Sequence, residues 1–530
     1  NKTDFKNTYL DEFLGDAYTI INPYTFLVAD YLAKSAGLSF SPSRIYYIPS
    51  HIRKDTVADG SDIQDRLVNL INVPDINLRS NLYTTEDFLD SLQVSKNYMA
   101  DQNLYIRERI FDMWTGDWNK TNENWEWQSH TVNDSVIYTP IVIDRNHAFT
   151  KVDGVLFKQM LKMLSLDFIC NYDSLILKDT KKINKLAFAL DMAVAGRSDE
   201  SVWIRQAQEI QRQMTDSLID SAFTYLPEGV KHDEIELIKR KLKRRRLELE
   251  AVASQYYRLL QRTPVVAGTN QSDYFLIERQ APDRTVLRIY DPETGDCRLE
   301  QQFSGKETKE LWLYGLAGND TFEVKGNTRK DFPIYLISGE GENQYQLNHN
   351  RKIHVYDKDY RYDYQKIKYH KISFTPWGIY DSDKGISLGT FFTYTMYGFK
   401  RAPFTYQHRI GYNYLKGFMY AGIFPNYDGR RRLYLNASIS SPRNFENFFG
   451  FGNNTAGYKE EKKNYNRVKL RTYMFNPSFE MDLRKEEVMT FFGSLDMYKA
   501  KRTDDRYIYT VYGEDHPIFR TNYFVGLGAT

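Results

Sequence analysis

The 530 residues are 42% hydrophobic and 26% charged, a globular composition, and the length suits about three or four domains. The 71 Lys and Arg nearly balance the 69 Asp and Glu, so the chain carries no bulk field for nucleic acid, and nucleic acid is not expected as a partner. Two cysteines, Cys170 and Cys297, exclude a disulfide scaffold and a Cys-rich zinc site. No apolar run reaches the ~20 residues of a membrane-spanning helix, and the opening NKTDFKNTYL lacks the apolar core of a signal peptide.

Short helices and strands alternate over residues 1–155. The run NPYTFLVADYLAKSAG (22–37) sets Phe26, Leu27, Tyr31 and Leu32 on one helical face and stops at Gly37. A strand follows over 44–49, then a helix over 104–114 and a strand over 135–144. From 156 to 264 the pattern is helical. Trp203, Ala207, Ile210 and Met214 form one buried stripe, and Ile235, Ile238, Leu242, Leu249, Ala253, Tyr256 and Leu260 form another, read as a single long helix ended by Pro264. The basic run KRKLKRRR (239–246) lies on that helix beside Glu234, Glu236, Glu248 and Glu250, so it reads as a solvated surface face.

After Pro264 the period becomes two, and DYFLIERQ, RTVLRIYD and CRLEQQF alternate around polar turns in a β-rich connector over 265–370. Within it GLAGNDTFEVKG (315–326) resembles SGEGENQYQL (338–347). The form is similar to the glycine–aspartate turn of calcium-binding β-rolls, which makes Asp320 a candidate metal ligand. Asn343 stands at the matching position of the second copy. One carboxylate is thin for Ca²⁺, and tight turns between strands are the plainer expectation.

The chain changes character near residue 370: 35 aromatic residues fall in the last 160 positions, against 45 in the first 370. Alternating segments such as 386–398, 431–440, 467–483 and 488–500 exceed the usual five or six residues of a strand. About eight such strands are expected after 370. Their length, with aromatics near the ends, is what a tilted transmembrane strand requires, and an aromatic-rich soluble sandwich is the alternative.

Chemistry is densest in RERIFDMWTGDWNKTNENWEWQ (107–128) and YTPIVIDRNHAF (138–149). Two acid-containing polar segments some 20 residues apart, the second at a strand end, fit one arrangement for phosphoryl transfer: a base on a loop, then a metal-binding Asp. The pair resembles the GDWDRH-x-x-QW and PRDRDQAF segments of large Gram-negative outer-membrane proteins, themselves similar to loops of atypical kinases of the toxin and spore-coat types. By that resemblance the catalytic Asp is replaced by Asn119, which has no basic form near neutral pH. Lys120 and Thr121 replace the Arg and His, and Asn124 holds the amide position. Asp144 keeps a metal-ligand position, for Mg or Ca, and Asn146 replaces the next acid. The resemblance implies a degenerate kinase-like scaffold without catalysis, with residual nucleotide or metal binding as the alternative. A buried core of Trp114, Trp118 and Trp125 is compatible with the first.

Three further strings are similar to the same family: EIELIKRKLKRRRLELEAVASQYYRLL, TKELWLYGLAGNDTFEVKG and FFGFGNNT (448–455), the last resembling a loop of surface-antigen barrels related to outer-membrane assembly and two-partner translocation pores. The resemblance implies an α+β multidomain chain: a kinase-like α/β module (1–155), a helical section (156–264), the β-rich connector (265–370) and the first half of an antiparallel transmembrane β-barrel (371–530). It implies residence in the outer membrane with periplasmic N-terminal modules, contact with outer-membrane lipid, and protein partners or clients. The expected role is non-catalytic support of protein or lipid insertion or translocation. The alternative is the membrane-anchored part of a metallophosphoesterase or kinase-like enzyme whose catalytic domain lies outside this chain, since that family's phosphatase motifs are absent and the strands stop short of a full barrel.

Overall fold

The structure, a computed structural model of the chain, describes residues 22–39, 43–49, 65–71, 81–152, 154–163, 166–230, 232–280, 282–326, 331–347, 352–356, 362–398, 401, 403–426, 429–451, 464–484 and 487–530. It is an α+β protein that divides into two compact units, one of residues 1–161 and 166–365, the other of 162–165 and 366–530.

In the first unit, helix α1 (Thr25–Ser35) precedes the hairpin of β1 (Ser43–Ile48) and β2 (Arg66–Ile71). Then come β3 (Leu82–Tyr83), α2 (Thr85–Val94), β4 (Tyr98–Ala100), α3 (Gln102–Thr115), β5 (Trp125–Val132) and β6 (Ser135–Val142). The four strands of this stretch form a sheet in the order β3-β5-β6-β4. Capping fixes both helix starts: Thr84 Oγ1 accepts from the Asp87 amide at 3.1 Å, and Asp101 Oδ1 accepts from the Leu104 amide at 3.0 Å.

The helical section holds α4 (Val155–Met163), α5 (Thr180–Ile183), α6 (Phe188–Ala195), α7 (Glu200–Gln213), α8 (Asp216–Ala222), α9 (His232–Arg246) and α10 (Leu249–Leu260). Four of these, α6, α7, α9 and α10, pack around α3, which leaves α3 buried on every side. The expected single helix over 235–260 is two. Its seven-residue step from Leu242 to Leu249 keeps one stripe in phase across an interruption at Leu247 and Glu248, so periodicity alone does not show the break.

The β-rich stretch winds as a two-sheet parallel coil. Strands β7 (Val265–Ala267), β8 (Tyr274–Gln280), β9 (Arg284–Tyr290), β10 (Cys297–Ser304), β11 (Leu311–Tyr314), β12 (Thr321–Gly326), β13 (Ile334–Ile337), β14 (Gln344–Leu347) and β15 (Ile353–Tyr356) form sheets ordered β10-β9-β8-β12-β14 and β15-β13-β11-β7. In β8, β12 and β14 the strands run parallel, as they do in β7, β11, β13 and β15, while β8-β9-β10 is an antiparallel meander. Each rung is a strand, a six-residue corner and a second strand. Val266, Phe275, Ile277, Leu313, Phe322, Val324 and Leu336 fill the space between the sheets. Phe275 stacks on Phe322 at 4.6 Å, and Phe322 on Tyr345 at 5.6 Å, because in-register parallel strands set like residues above one another. The two turns matched in the sequence are corners of this coil. A third rung, 265–280, was hidden because its corner shares Gly268 and Asp273, five residues apart, with the first copy alone; the second has Ser338 and Asn343 there.

The second unit is a nine-stranded antiparallel sheet. Along its main path run β16 (Lys371–Asp381), β17 (Gly385–Met396), β18 (Tyr406–Asn413), β19 (Gly417–Pro425), β20 (Arg431–Ser440), β22 (Arg467–Arg484), β23 (Glu487–Ala500) and β24 (Asn522–Ala529), while short β21 (Phe445–Asn447) pairs with β22. Helix α11 (Tyr507–Tyr512) interrupts the connection from β23 to β24. Both β16 and β24 have one neighbour, so the described residues form an open antiparallel sheet and no closed barrel, where the first half of a barrel was expected from the sequence. Of FFGFGNNT, residues 452–455 lie outside the described residues.

Register separates the two faces of this sheet, because alternate residues point to opposite sides. One face carries Ile372, Phe374, Leu388, Phe392, Ile410, Tyr420, Leu435, Phe475, Phe479, Leu495, Val525 and Leu527. The other carries Ser387, Thr393, Thr395, Gln407, Arg409, Asn436, Ser438, Thr472, Ser478, Glu480, Ser494 and Asn522. The apolar face is the exposed one: Leu527 is 90% exposed and Val525 75%, whereas Ser387, Thr393, Thr395 and Thr472 are buried.

Candidate functional site

The two segments singled out in the sequence flank the C-terminal end of α3 and the end of the β5–β6 hairpin. Helix α3 stops at Gly116, whose φ of 78° is left-handed and where a Cβ would stand 2.7 Å from the Tyr172 ring. Its last carbonyls are capped from outside. Arg245 donates through Nε to Trp114 O at 2.8 Å and through a terminal nitrogen to Met113 O at 2.5 Å. This arginine belongs to the basic run expected on the surface, yet it is 4% exposed. The remainder of the run is largely ion-paired: Lys239 with Glu236, Lys243 with Asp220, Arg244 with Glu248 and Arg246 with Asp216.

Below the loop lies a buried ionic network. Arg109 bridges Asp112 (2.6 Å), Asp191 (2.8 Å) and the Asn184 side chain (2.6 Å). Arg145 bridges Glu108 (2.6 Å) and Asp112 (3.1 Å). Lys120 pairs with Asp117, reaches Asp112 at 3.7 Å and donates to Asp144 O at 3.2 Å. Tyr105 and Tyr256 donate their hydroxyls to Asp191 at 2.7 and 2.5 Å. Every charged group here is at most 1% exposed. Three cations thus face four carboxylates in a dry interior, where an uncompensated charge is costly. Accordingly burial pushes Glu108 up to about 7 and raises Asp117 as well. Sequence reasoning missed Glu108, Arg109, Asp112, Arg145 and Asp191, because a charge-rich helix reads as solvated. The signal available was the absence of a polar face: Ile106, Ile110 and Met113 also bury fully, and no side of α3 is left for water.

At the opening, three of the four expected positions meet. Asp144 Oδ1 accepts from the Asn146 amide at 3.2 Å, and Asp144 Oδ2 faces Asn124 Nδ2 at 3.4 Å. Asn146 Oδ1 accepts from Asn69 at 3.2 Å. Half-buried Asn119 lies on the adjoining loop, and no hydrogen bond joins its side chain to the other three. The neighbouring carboxylate in sequence, Asp117, is held inward by Lys120 and is 1% exposed, so it does not stand in for the missing base. Burial, with Asp144 nearby, lifts Asp30 to about 6, while burial lowers His147.

The orientation of Asn124 decides what Asp144 can hold. Its Oδ1 accepts from the Thr121 amide at 2.8 Å and from Thr121 Oγ1 at 2.9 Å, a reciprocal cap that fixes which end is oxygen. The end turned toward Asp144 is therefore NH₂, a donor. A hard cation shared by the two residues needs oxygen from both. Among the described residues no group of three or more His, Cys, Asp or Glu is placed to hold a metal ion.

Asp320, the other candidate ligand, is fully buried in a corner of the coil. Oδ1 accepts from the Asp273 amide at 2.9 Å, Oδ2 has no hydrogen-bond partner, and burial pushes the carboxyl up to about 7. The equivalent Asp273 differs: its Oδ2 accepts from the Thr269 amide (2.7 Å) and hydroxyl (3.0 Å), whereas Leu316 takes the threonine's place in the next rung with φ 77°.

No family model and no curated protein matches the chain. Among solved structures, the chain is similar to the proinflammatory kinase CtkA of Helicobacter pylori, at 16% identity and a TM-score of 0.27, over 44% of this chain and 86% of that one.

Proposed function

We propose that residues 371–529 are the lipid-facing wall of an outer-membrane β-barrel, and that the first unit is a non-catalytic periplasmic module joined to it. The observation that carries the reading is the inverted sheet, with apolar side chains exposed over eight strands and polar ones sheltered on the opposite face. In water such a face is an aggregation surface; in hydrocarbon it is an arrangement that keeps nearly all polar side chains out of lipid, His408 and Thr390 being exceptions on the apolar face. The open edges of β16 and β24 call for further strands, since backbone groups unpaired in lipid cost several kcal/mol each. Following the motif resemblance, the role is support of protein or lipid insertion or translocation at that membrane.

An enzymatic reading is weaker on this geometry. Asn119 supplies no base, Asp117 is locked to Lys120, and Asn124 offers Asp144 a donor. The test is flotation of the whole chain with phosphatidylethanolamine–phosphatidylglycerol vesicles. Co-flotation that survives alkaline carbonate is expected. A chain that stays at the bottom of the gradient and monodisperse without detergent would overturn the proposal.

A further inference from the structure

A cavity of about 790 Å³ opens on the polar face of the second unit, between β21, β22, β23, the start of β24 and the α11 segment. Its setting is unusual for that face, because the walls are apolar: Val468, Leu470, Ala500, Ile508 and Phe524 line it. Val468, Ala500 and Ile508 form a small buried core under the β23–β24 connection. The size falls within the range of small-molecule sites, which combine apolar walls with a few convergent polar groups.

The polar lining is mixed: Tyr498 brings a hydroxyl and His516, whose Nδ1 accepts from the Ile518 amide at 3.3 Å, carries its donor on Nε2, while the acidic and amide side chains bring acceptors. Asp496 reaches it from β23, and its Oδ1 is buried without a hydrogen-bond partner. No ion pair among the described residues includes Asp496. Asn522 uses its NH₂ on Pro517 O (3.2 Å) and Arg520 O (3.0 Å), and Asn447 uses its own on Asp383. Both amides therefore keep carbonyl oxygens for a guest. A buried carboxylate oxygen with no partner is costly, and a donor that also carries positive charge relieves it best.

We propose that this cavity binds a single-chain amphiphile ending in an ammonium group, with the alkyl body against Val468, Ile508 and Phe524 and the ammonium on Asp496. The site stands on the second unit alone and is independent of the membrane reading. To test it, n-octylammonium, n-octanoate and 1-octanol are titrated calorimetrically, below their critical micelle concentrations, into the whole chain kept monodisperse in a sugar-based surfactant. Octylammonium is expected to bind about tenfold or more tightly than octanol, and octanoate more weakly than either. Asp496→Asn, which removes an unpaired charge and retains the fold, abolishes that preference, while Ala500→Trp fills the cavity and abolishes binding of all three. A further arm uses lysophosphatidylethanolamine. Its binding identifies a membrane lipid as the source of the ammonium, and its exclusion with octylammonium retained identifies a free amine. Equal affinities for the three probes, no binding, or a preference that survives Asp496→Asn would overturn the proposal.

Discussion

Asp273 donates its backbone amide to Oδ1 of Asp320 at 2.9 Å, one rung along the parallel coil, and Asp320 donates its own amide to Oδ1 of Asn343 at 2.9 Å. The corner positions are thus a side-chain ladder, each residue accepting from the one before. A parallel offset ladder runs beside it, in which the Asn319 amide donates to Ser272 Oγ and the Glu342 amide to Asn319 Oδ1. The rungs are held by these corners as well as by the strands; losing the side-chain acceptor at position 320 breaks the link to Asp273, while the backbone amide of residue 320 still donates to Asn343.

Asp320→Asn keeps the acceptor and removes the charge. In the folded chain the carboxyl is raised from 3.8 to about 7, so the folded state holds its proton more tightly than the unfolded state. The resulting stability is complete below about pH 4 and declines as pH rises toward 7. The variant's Nδ2 also replaces the partnerless Oδ2, which shares the space around Gly315 with Ser338 O. The expected outcome at pH 8 is a gain on the order of 2–4 kcal/mol in local opening energy over residues 311–347, falling toward zero at pH 4. Hydrogen exchange of variant and wild type, compared at each pH, measures it. A loss at both pH values would show that the carboxylate itself is needed.

The basic run separates two arginines that look alike in sequence. Arg245→Ala removes both caps from the end of α3 and its stacking on Tyr172 at 4.3 Å, stripping its donor from Met113 O and leaving Trp114 O with the Tyr172 hydroxyl at 3.4 Å. Its expected cost is about 2–4 kcal/mol by urea unfolding. Exposed Arg240→Ala should stay within about 0.5 kcal/mol. Equal effects would return the whole run to the surface.

Much of the architecture was legible because alternation and capping are local. The strands of 274–304, the long strands between 386 and 500, the helix over 104–114 and the break at Pro264 follow from pattern alone. What stayed hidden depended on partners distant in sequence. Glu108, Arg109 and Asp112 become a core only when Asp191, 82 residues from Arg109, and Arg145, 37 residues from Glu108, are brought against them. The helix break at Leu247 has no Gly or Pro to announce it. Three of the expected site positions do converge, but only geometry reveals that Asn124 turns its NH₂ inward.

That inward amide makes a sharp prediction. Asn124→Asp leaves Oδ1 on Thr121 and sets a second carboxylate oxygen against Asp144, about 3.4 Å away. Without divalent cations the pair repels, and a loss of about 1–2 kcal/mol is expected. Millimolar Mg²⁺ or Ca²⁺ should restore it, because two carboxylates now face one point. Thermal unfolding with and without chelator reads the effect: recovery in the variant and a smaller shift in the wild type. If the wild type responds as strongly as the variant, Asp144 already holds a cation with other partners.

The inverted sheet can be tested on adjacent residues of one strand. On β23, Leu495 belongs to the apolar face, opposite Phe475 and Val525, and is 53% exposed, whereas Ser494 points to the polar face. If the apolar face meets hydrocarbon, Leu495→Arg places a charge in lipid and costs about 2–4 kcal/mol near the midplane, while Ser494→Arg on the polar side is tolerated far better. If the face meets water, Leu495→Arg is a substitution at an exposed site and stays within about 0.5 kcal/mol. Urea titration of both variants folded into vesicles, and again in surfactant alone, distinguishes the cases. A large vesicle-specific loss confined to Leu495→Arg fits a lipid-facing wall. Equal tolerance of the two arginines would mean that the exposed apolar face is covered by something other than a bilayer.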